Sequence, residues 1–368
     1  MPKAAFKFAA WMEINERDKN GNLIKRWSEF DANLILENSF TYSVTIEKSL
    51  TSNADTATIS ITNHPVLEEL YKQKKAYFNK FNEKHLELSI LMYYEYPHVI
   101  LFPEKTNCIF TGDVSDIYVD ESENTNDQGF TLKATCGNQA NLRAEVNKSY
   151  NAGMSYRQVV EDLFKQFNKY GHELYVLDDP KNKLNKPLKR ARSFHGKVSE
   201  ALNDIAKDLD MIWGLDGTPW TYKERGPIGI YPGIPSNPAA INRPKRAWFV
   251  DKISVFDITG MHSDTGKERP IRGVNGLEIN GSTGKLGLIG YTKSQFSFSK
   301  LFDPSINIGM PVFASDVGAR DQYVEFIGRI NRVSINNEIM KCECSYVDEK
   351  TGLAILEKDA KNVGALIL

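Results

Sequence analysis

Alternating apolar and polar positions dominate the first 63 residues and predict β-strands. Phe6–Ile14 and Leu23–Phe30 both alternate in this way, and Asn20-Gly21 lies between them. This dipeptide is typical of a tight hairpin, because glycine adopts the positive φ that such turns need. Phe40–Asn63 continues with apolar residues at every second position, the pattern of half-buried strands. The amino-terminal part is therefore predicted to be a set of hairpins.

Helical spacing of apolar residues occurs in three places. It follows His64-Pro65 over about residues 66–81, and it reappears after Ser155 and Gln158, which form a capping box at a helix start. A third helix is predicted from about Val198 to Leu209, before a strand at Met211–Leu215. Strand patterns return after Lys252. The fold class is therefore α+β and β-rich, with the helices concentrated in the middle of the chain.

Two segments of the chain resemble each other. Residues 110–117 and 326–333 both follow the pattern F-x-G-x-[VI]-x-x-[IV]. Each continues through a polar loop into a second strand, Leu132–Cys136 in one case and Met340–Cys344 in the other, with apolar, lysine and cysteine positions aligned. A duplicated hairpin explains this similarity, and chance likeness of two amphipathic hairpins is the alternative. If it is a duplication, the chain carries two similar β-barrel modules.

A chain of 368 residues is too long for one core and should divide into several domains. Residues 217–250 are rich in proline and glycine and lack periodicity, which predicts a surface excursion or interdomain loop. We expect a first β-barrel module at 1–150, a helix-containing insert at 151–216, an irregular excursion at 217–251, a second β-barrel module at 252–350 and a carboxy-terminal tail at 351–368.

The composition bears on partners. The formal charge is −1, so the positive excess on which non-specific nucleic-acid binding depends is missing. No segment reaches the roughly 20 apolar residues of a membrane span, and we expect neither a span nor a signal peptide. The four cysteines are expected to be reduced core thiols. A basic loop at 181–192 is expected to be solvated, and an electrostatic contact with a partner is the alternative.

Familiar catalytic and metal-binding patterns fail on inspection. Asp18–Glu29 imitates a calcium loop, but Leu23 occupies the position that needs glycine and strands flank it, so a hairpin turn is favoured. Gly281–Lys285 lacks the spacing and the following helix of a phosphate loop. The six histidines are scattered singly. We therefore predict no catalytic residues, no cofactor-binding residues, no metal ligands, and a chain that is not an enzyme.

Several motifs, in their order along the chain, resemble a known family. They are residues 44–65, a strand pair followed by a helix; the F-x-G-x-V strand at 110–114; a helix entering a tryptophan strand at 193–213; and G-L-I-G at 287–290, with 301–309 and 324–333 after it. Together they resemble the baseplate or tail-tip hub proteins of tailed bacteriophages, a family that includes late-control D-type proteins and the amino-terminal half of VgrG-type spike proteins. Residues 217–250 and the basic loop have no counterpart in that pattern.

The resemblance implies a function. It implies a structural hub of the virion tail baseplate, assembled in the host cytoplasm as a homotrimeric ring with pseudo-six-fold character. The ring would adapt the tail tube to the central spike, with tail tube protein, central spike protein, other baseplate proteins and the tape-measure protein as partners. A tail-associated peptidoglycan hydrolase and a carbohydrate-binding receptor module are the alternatives. Trp11, Trp220, Trp248 and Gly364–Leu368 are candidate contact residues, with packing inside their own domain as the other interpretation.

Overall fold

A computed structural model describes residues 7–27, 34–36, 42–78, 84–96, 99–101, 107–121, 128–219, 245–255, 271–275, 290–291, 295–302, 306–317, 323–348 and 351–355. Strands predominate over helices in these residues, which confirms the β-rich α+β class. Predictions that fall on Trp220, Gly281–Lys285 and Gly364–Leu368 lie outside the described residues.

The strands described before residue 151 come in chain order with three short helices among them. The strands are β1 (Lys7–Asp18), β2 (Leu23–Arg26), β3 (Leu34–Leu36), β4 (Tyr42–Ser49), β5 (Thr56–Thr62), β6 (Lys84–Tyr96), β7 (Val99–Leu101), β8 (Asn107–Glu121), β9 (Gln128–Thr135) and β10 (Glu145–Tyr150). The helical spacing at 66–81 corresponds to α1 (Pro65–Lys72) and α2 (Lys74–Tyr77), and α3 (Asn138–Arg143) precedes β10. The predicted hairpin at Asn20-Gly21 is confirmed: Asp18 accepts hydrogen bonds from the amides of Asn20 and Asn22 and closes the turn between β1 and β2.

The middle of the chain contains the longer helices, α4 (Tyr156–Phe164) and α5 (Val198–Leu209), with a 3-10 turn at Phe167–Tyr170. The capping box is confirmed, because Ser155 Oγ accepts from the amide of Gln158 while the Gln158 side chain accepts from the amide of Ser155. The strands here are β11 (His172–Asp178), β12 (Arg192–Lys197), β13 (Met211–Pro219) and β14 (Lys245–Asp251). None of the described helices is long and apolar enough to cross a bilayer.

The remaining strands are β15 (Ile271–Asn275), β16 (Gly290–Tyr291), β17 (Gln295–Leu301), β18 (Pro311–Val317), β19 (Tyr323–Asn336) and β20 (Ile339–Tyr346). Most strands of the described chain join one 15-stranded sheet in the order β16-β17-β20-β19-β4-β5-β9-β8-β6-β1-β2. The other four strands pair as branches: β15 with β18, β18 with β19, β3 with β1, and β7 with β6. Over the described residues this sheet does not close into the barrels that the sequence predicted.

The predicted excursion at 217–251 is wrong at both ends. Residues 217–219 belong to β13, and Lys245–Asp251 form β14, the buried central strand of a sheet ordered β11-β14-β13. A central strand is covered on both faces, so it shows a continuous apolar run such as Ala247–Val250 instead of alternation. Buried Lys245 and Arg246 further disguised it. Residues 220–244 lie outside the described chain.

The boundary at residue 150 is also displaced. β10, inside the predicted first module, pairs antiparallel with β12, so it belongs with the insert. One continuous hydrophobic cluster reaches from Met12 and Ile46 of the large sheet through Phe164 and Trp213 of the insert to Cys344 near the end. None of the four cysteines forms a disulfide bond and all four are buried, as expected. The insert is therefore packed against the large sheet by shared core.

Candidate assembly surface

The two hairpins singled out in the sequence both form, and they share an irregularity. β8 pairs antiparallel with β9, and β19 pairs antiparallel with β20. The β8 register shifts between Val114 and Asp116, and the β19 register shifts between Ile330 and Arg332. These are equivalent positions of the repeated motif, so each hairpin carries a β-bulge at the same place. A bulge bends its strand and is a specific feature, which makes chance likeness a weaker explanation.

The pairing corrects the alignment of the second strands. Val114 lies opposite Ala134, and its equivalent Ile330 lies opposite Cys344. The structural equivalent of Ala134 is therefore Cys344, whereas the sequence comparison matched Ala134 with Cys342. The error is two residues, and a shift of two keeps every side chain on its own face. The apolar pattern alone could not detect it.

Both motif glycines leave room for an aromatic ring. A Cβ atom at Gly112 would lie 2.6 Å from Cζ of Phe110, and one at Gly328 would lie 2.5 Å from Cζ of Phe296. Atoms cannot approach so closely, so a phenylalanine ring occupies the space that a side chain would need at each glycine. The ring belongs to the motif's own Phe110 at Gly112 and to Phe296 of the neighbouring strand β17 at Gly328, so each glycine is required by packing against a different ring.

The strands beside each hairpin follow a matching order. At the first bulge, a row of paired residues runs Val114, Ala134, Ala57 and Ile46 through β8, β9, β5 and β4. At the second bulge, the corresponding row runs Ile330, Cys344, Phe296 and Tyr291 through β19, β20, β17 and β16.

On the other side of each hairpin, β6 pairs antiparallel with β8, and β18 pairs antiparallel with β19. The likeness stops at the next strand, because β1 is antiparallel to β6 but β15 is parallel to β18. Five strands around the first hairpin (β4, β5, β6, β8 and β9) therefore match five around the second (β16 to β20). The matching strands also occur in the same order along the chain.

One junction connects the two sets of strands. The part of β19 beyond its bulge pairs with the side of β4 that faces away from β5, called its outer side below. Ile335 lies opposite Ile46 and Asn336 opposite Thr45. Asn337 fixes one end, since its amide donates to the Val44 carbonyl at 2.8 Å and its side-chain oxygen accepts from the Val44 amide at 2.8 Å.

The two faces of this junction differ. Ile46 and Ile335 are buried on the inner face. On the outer face Arg332 donates to Glu47 at 2.9 Å, and both side chains are exposed, so this ion pair contributes little stability. The buried apolar pairs and the backbone hydrogen bonds therefore hold the two sets of strands together.

The two strand sides that pair at the junction belong to β4 and β19. Their equivalents on β16 and β8 are open among the described residues. Among the described residues, no strand pairs with the outer side of β16, the equivalent of β4. Beyond its bulge, β8 pairs with β9 on one side, and no described strand pairs with the other side over 116–121. The amide of Ile117 on that side donates to its neighbour's carboxylate, Asp116 Oδ1, at 2.9 Å. Over the described residues, the outer side of β16 and residues 116–121 of β8 are therefore two open edges, each corresponding to one half of the internal junction.

A buried ion cluster holds the insert on the first set of strands. Glu87 of β6 accepts from Nε of Arg17 and from Nζ of Lys245, each at 2.7 Å, and both side chains are largely buried. Burial acts to raise the pKa of Glu87, but the charges and hydrogen bonds of Lys245 and Arg17 outweigh it and lower the pKa to about 2. Glu87 is therefore ionised at neutral pH and joins β1, β6 and β14.

A cavity of about 300 Å³ adjoins this cluster and is also lined by His85, Asp113 and His172. Burial, together with the charge of Lys245, lowers the pKa of His172 to about 3. Burial also lowers the pKa of His85, although Asp113 and Glu87 oppose it. Both imidazoles are neutral at pH 7. No cluster of three His, Cys, Asp or Glu residues suited to a metal occurs in the described part of the chain.

A second buried cluster lies beside the internal junction. Asp216 of β13 lies 3.9 Å from Lys48 of β4 and 3.4 Å from Arg246 of β14. Burial and the negative charge of Asp216 raise the pKa of Asp55, which comes just before β5. Asp55 also accepts from the Ser49 amide at 3.2 Å. These buried charges connect the insert to the strand that carries the junction.

The basic loop is partly neutralised. Lys183 pairs with Asp251 at 2.8 Å and Arg192 pairs with Asp208 at 2.5 Å, while Lys181, Lys186, Lys189 and Arg190 are exposed. Of the candidate contact residues, Trp248 is 3% exposed and its ring packs over Gly214, so it belongs to the core of the insert. The side chain of Trp11 lies outside the described residues.

No protein-family model matches the chain, and no curated protein does. Solved structures that match this chain in backbone structure include a tail protein from Neisseria meningitidis MC58. It has 8% identity and a TM-score of 0.46, with 92% of this chain and 96% of that one covered. The 43 kDa tail protein of prophage MuSo2 from Shewanella oneidensis has 10% identity and a TM-score of 0.41, with 93% and 98% covered.

A third structure is the E. coli c3393 protein, described as a component of the type VI secretion system with structural similarity to the T4 bacteriophage tail proteins gp27 and gp5. It has 9% identity and a TM-score of 0.45, with 85% and 75% covered. Identities and TM-scores this low do not establish a family for this chain.

Proposed function

We propose that this chain is the structural hub of a bacteriophage tail baseplate. Three copies form a ring with pseudo-six-fold character, which adapts the tail tube to the central spike. Tail tube protein, spike protein, other baseplate proteins and the tape-measure protein are its partners. Three is the copy number that the family resemblance implies. The virion tail is the proposed location, after assembly in the host cytoplasm.

Two sister modules within the chain are part of this proposal. The first consists of β4, β5, β6, β8 and β9, the second of β16 to β20, and the insert extends from β10 to β14. The supporting observation is the matched bulge and strand order, together with the β4–β19 junction between the two sets. A unit that joins head to tail inside one chain can join in the same way between chains, and such heterologous contacts generate a closed ring where the rotation between units closes.

The alternatives find less support in the described residues. A glycosidase-type hydrolase needs a carboxylic acid of raised pKa facing its substrate. Glu87, a buried carboxyl of the cavity, has a lowered pKa, and Asp55, whose pKa is raised, does not line that cavity. A carbohydrate module needs exposed aromatic rings, but the large hydrophobic residues exposed in the described chain are Leu23, Ile24, Leu142 and Leu301.

Sedimentation velocity and native mass spectrometry of the purified chain test the proposal. We expect a species of three chains whose share rises with protein concentration. An obligate ring interface of this kind buries upward of about 2,000 Å². A species that stays monomeric at all concentrations, with tube and spike proteins present, would contradict the proposal. A peptidoglycan zymogram, where we expect no clearing, tests the hydrolase directly.

A further inference from the structure

We infer that neighbouring copies join by pairing β16 of one copy with the open side of β8, residues 116–121, of the next, in the register of the internal β4–β19 junction. This inference rests on the proposed ring and specifies its interface. It commits to a second copy of this chain as the occupant of both edges. Three steps lead to it.

The first step is the equivalence of the strands that meet. The bulges equate Val114 with Ile330, so Ile117 corresponds to Val333 and Val119 to Ile335. The rows of paired residues equate Ile46 of β4 with Tyr291 of β16. Each partner of the internal junction therefore has an equivalent elsewhere in the chain.

The second step is that these equivalents have an open side. β4 uses its outer side to pair with β19, while no described strand pairs with the outer side of β16. β19 uses its part beyond the bulge to pair with β4, while the same part of β8 is open among the described strands. The β16 edge of each copy thus matches the β8 edge of the next copy. An open strand edge readily accepts a further strand.

The third step is the register. Ile46 lies opposite Ile335, so Tyr291 should lie opposite Val119. Thr45 lies opposite Asn336, so Gly290 should lie opposite Asp120.

Cysteine cross-linking tests the register. In the double variant Asp120→Cys with Gly290→Cys, the two Cα atoms should lie within the roughly 4.4–6.8 Å range that a disulfide spans. We expect covalent dimers and trimers on a non-reducing gel after mild oxidation. The four native cysteines are buried and should stay reduced.

Two variants serve as controls. Val119→Cys with Gly290→Cys places the thiols on opposite faces of the sheet, since successive residues of a strand alternate, and should give no bond between chains. Thr45→Cys with Asn336→Cys should form a bond within one chain, because these residues lie opposite each other at the internal junction.

The outcomes separate this inference from the proposed function. Chains that form rings in sedimentation but do not cross-link through positions 120 and 290, or that cross-link equally through 119 and 290, would refute the register and leave the hub proposal standing. A bond between positions 120 and 290 within a single chain would also refute it. Chains that never associate would refute the hub proposal itself.

Discussion

Replacing Lys245 with methionine should loosen the insert from the first set of strands. Lys245 Nζ donates to Glu87 at 2.7 Å, and the two side chains are 9% and 5% exposed. The pKa of Glu87 falls from 4.5 to about 2 in the fold, and each pKa unit corresponds to about 1.4 kcal/mol. The fold therefore favours the ionised form of Glu87 by about 3 kcal/mol in net, because the two cations outweigh the cost of burial. Removing one partner of a buried pair costs about 3–5 kcal/mol, because a buried charge remains.

A double-mutant cycle with Glu87→Gln measures the interaction. Urea unfolding of the wild type, Lys245→Met, Glu87→Gln and the double variant should give a coupling free energy of about 1–3 kcal/mol. The double variant should be less destabilised than the sum of the single variants, because it leaves neither charge unpaired. Strictly additive losses would refute the claim that these two groups form one buried interaction.

The same cycle has a pH signature. A carboxyl group whose pKa is lower in the folded protein stabilises the fold above its unfolded pKa, here 4.5, and loses that contribution as the pH falls towards about 2. The wild type should therefore lose more stability between pH 4.5 and pH 2 than Glu87→Gln does. Equal losses for both proteins would contradict the lowered pKa.

Three further predictions concern other parts of the chain. Gly328→Ala should lower the free energy of unfolding by about 1–3 kcal/mol in chemical denaturation, because the new Cβ collides with Phe296; an unchanged midpoint would contradict the packing. Asp55→Asn should gain stability over the wild type as pH rises above the ordinary carboxyl range, since a raised pKa favours the fold only while the group is protonated; a thermal scan between pH 5 and 9 checks this, and parallel curves would oppose it. Ser155→Ala should cost about 1 kcal/mol by loss of the cap of α4, measured by thermal unfolding with Ser149→Ala as the surface control.

Sequence patterns predicted what depends on local periodicity. The hairpin at Asn20-Gly21, the capped helix after Ser155 and the paired strands around Gly112 and Gly328 all follow from turn chemistry and alternation. These features are local because each residue's neighbour along the chain determines its environment. The repeated hairpin was recognisable for the same reason.

Features that depend on distant partners were missed. β14 was predicted as irregular because it is covered on both faces and because its buried cations, Lys245 and Arg246, look like surface residues until Glu87 and Asp216 are brought to them. The two-residue error in the second hairpin strand arose because face alternation does not determine register. The β4–β19 junction joins residues almost three hundred positions apart, and nothing local indicates it.

Two-dimensional class averages of the assembled particle by cryo-electron microscopy, with the chain number fixed by native mass spectrometry, test whether two equivalent sets of strands in each copy continue from chain to chain around one ring. We predict three chains and a hollow ring with six similar segments. A particle without a central opening, or a ring with only as many segments as chains, would contradict this arrangement.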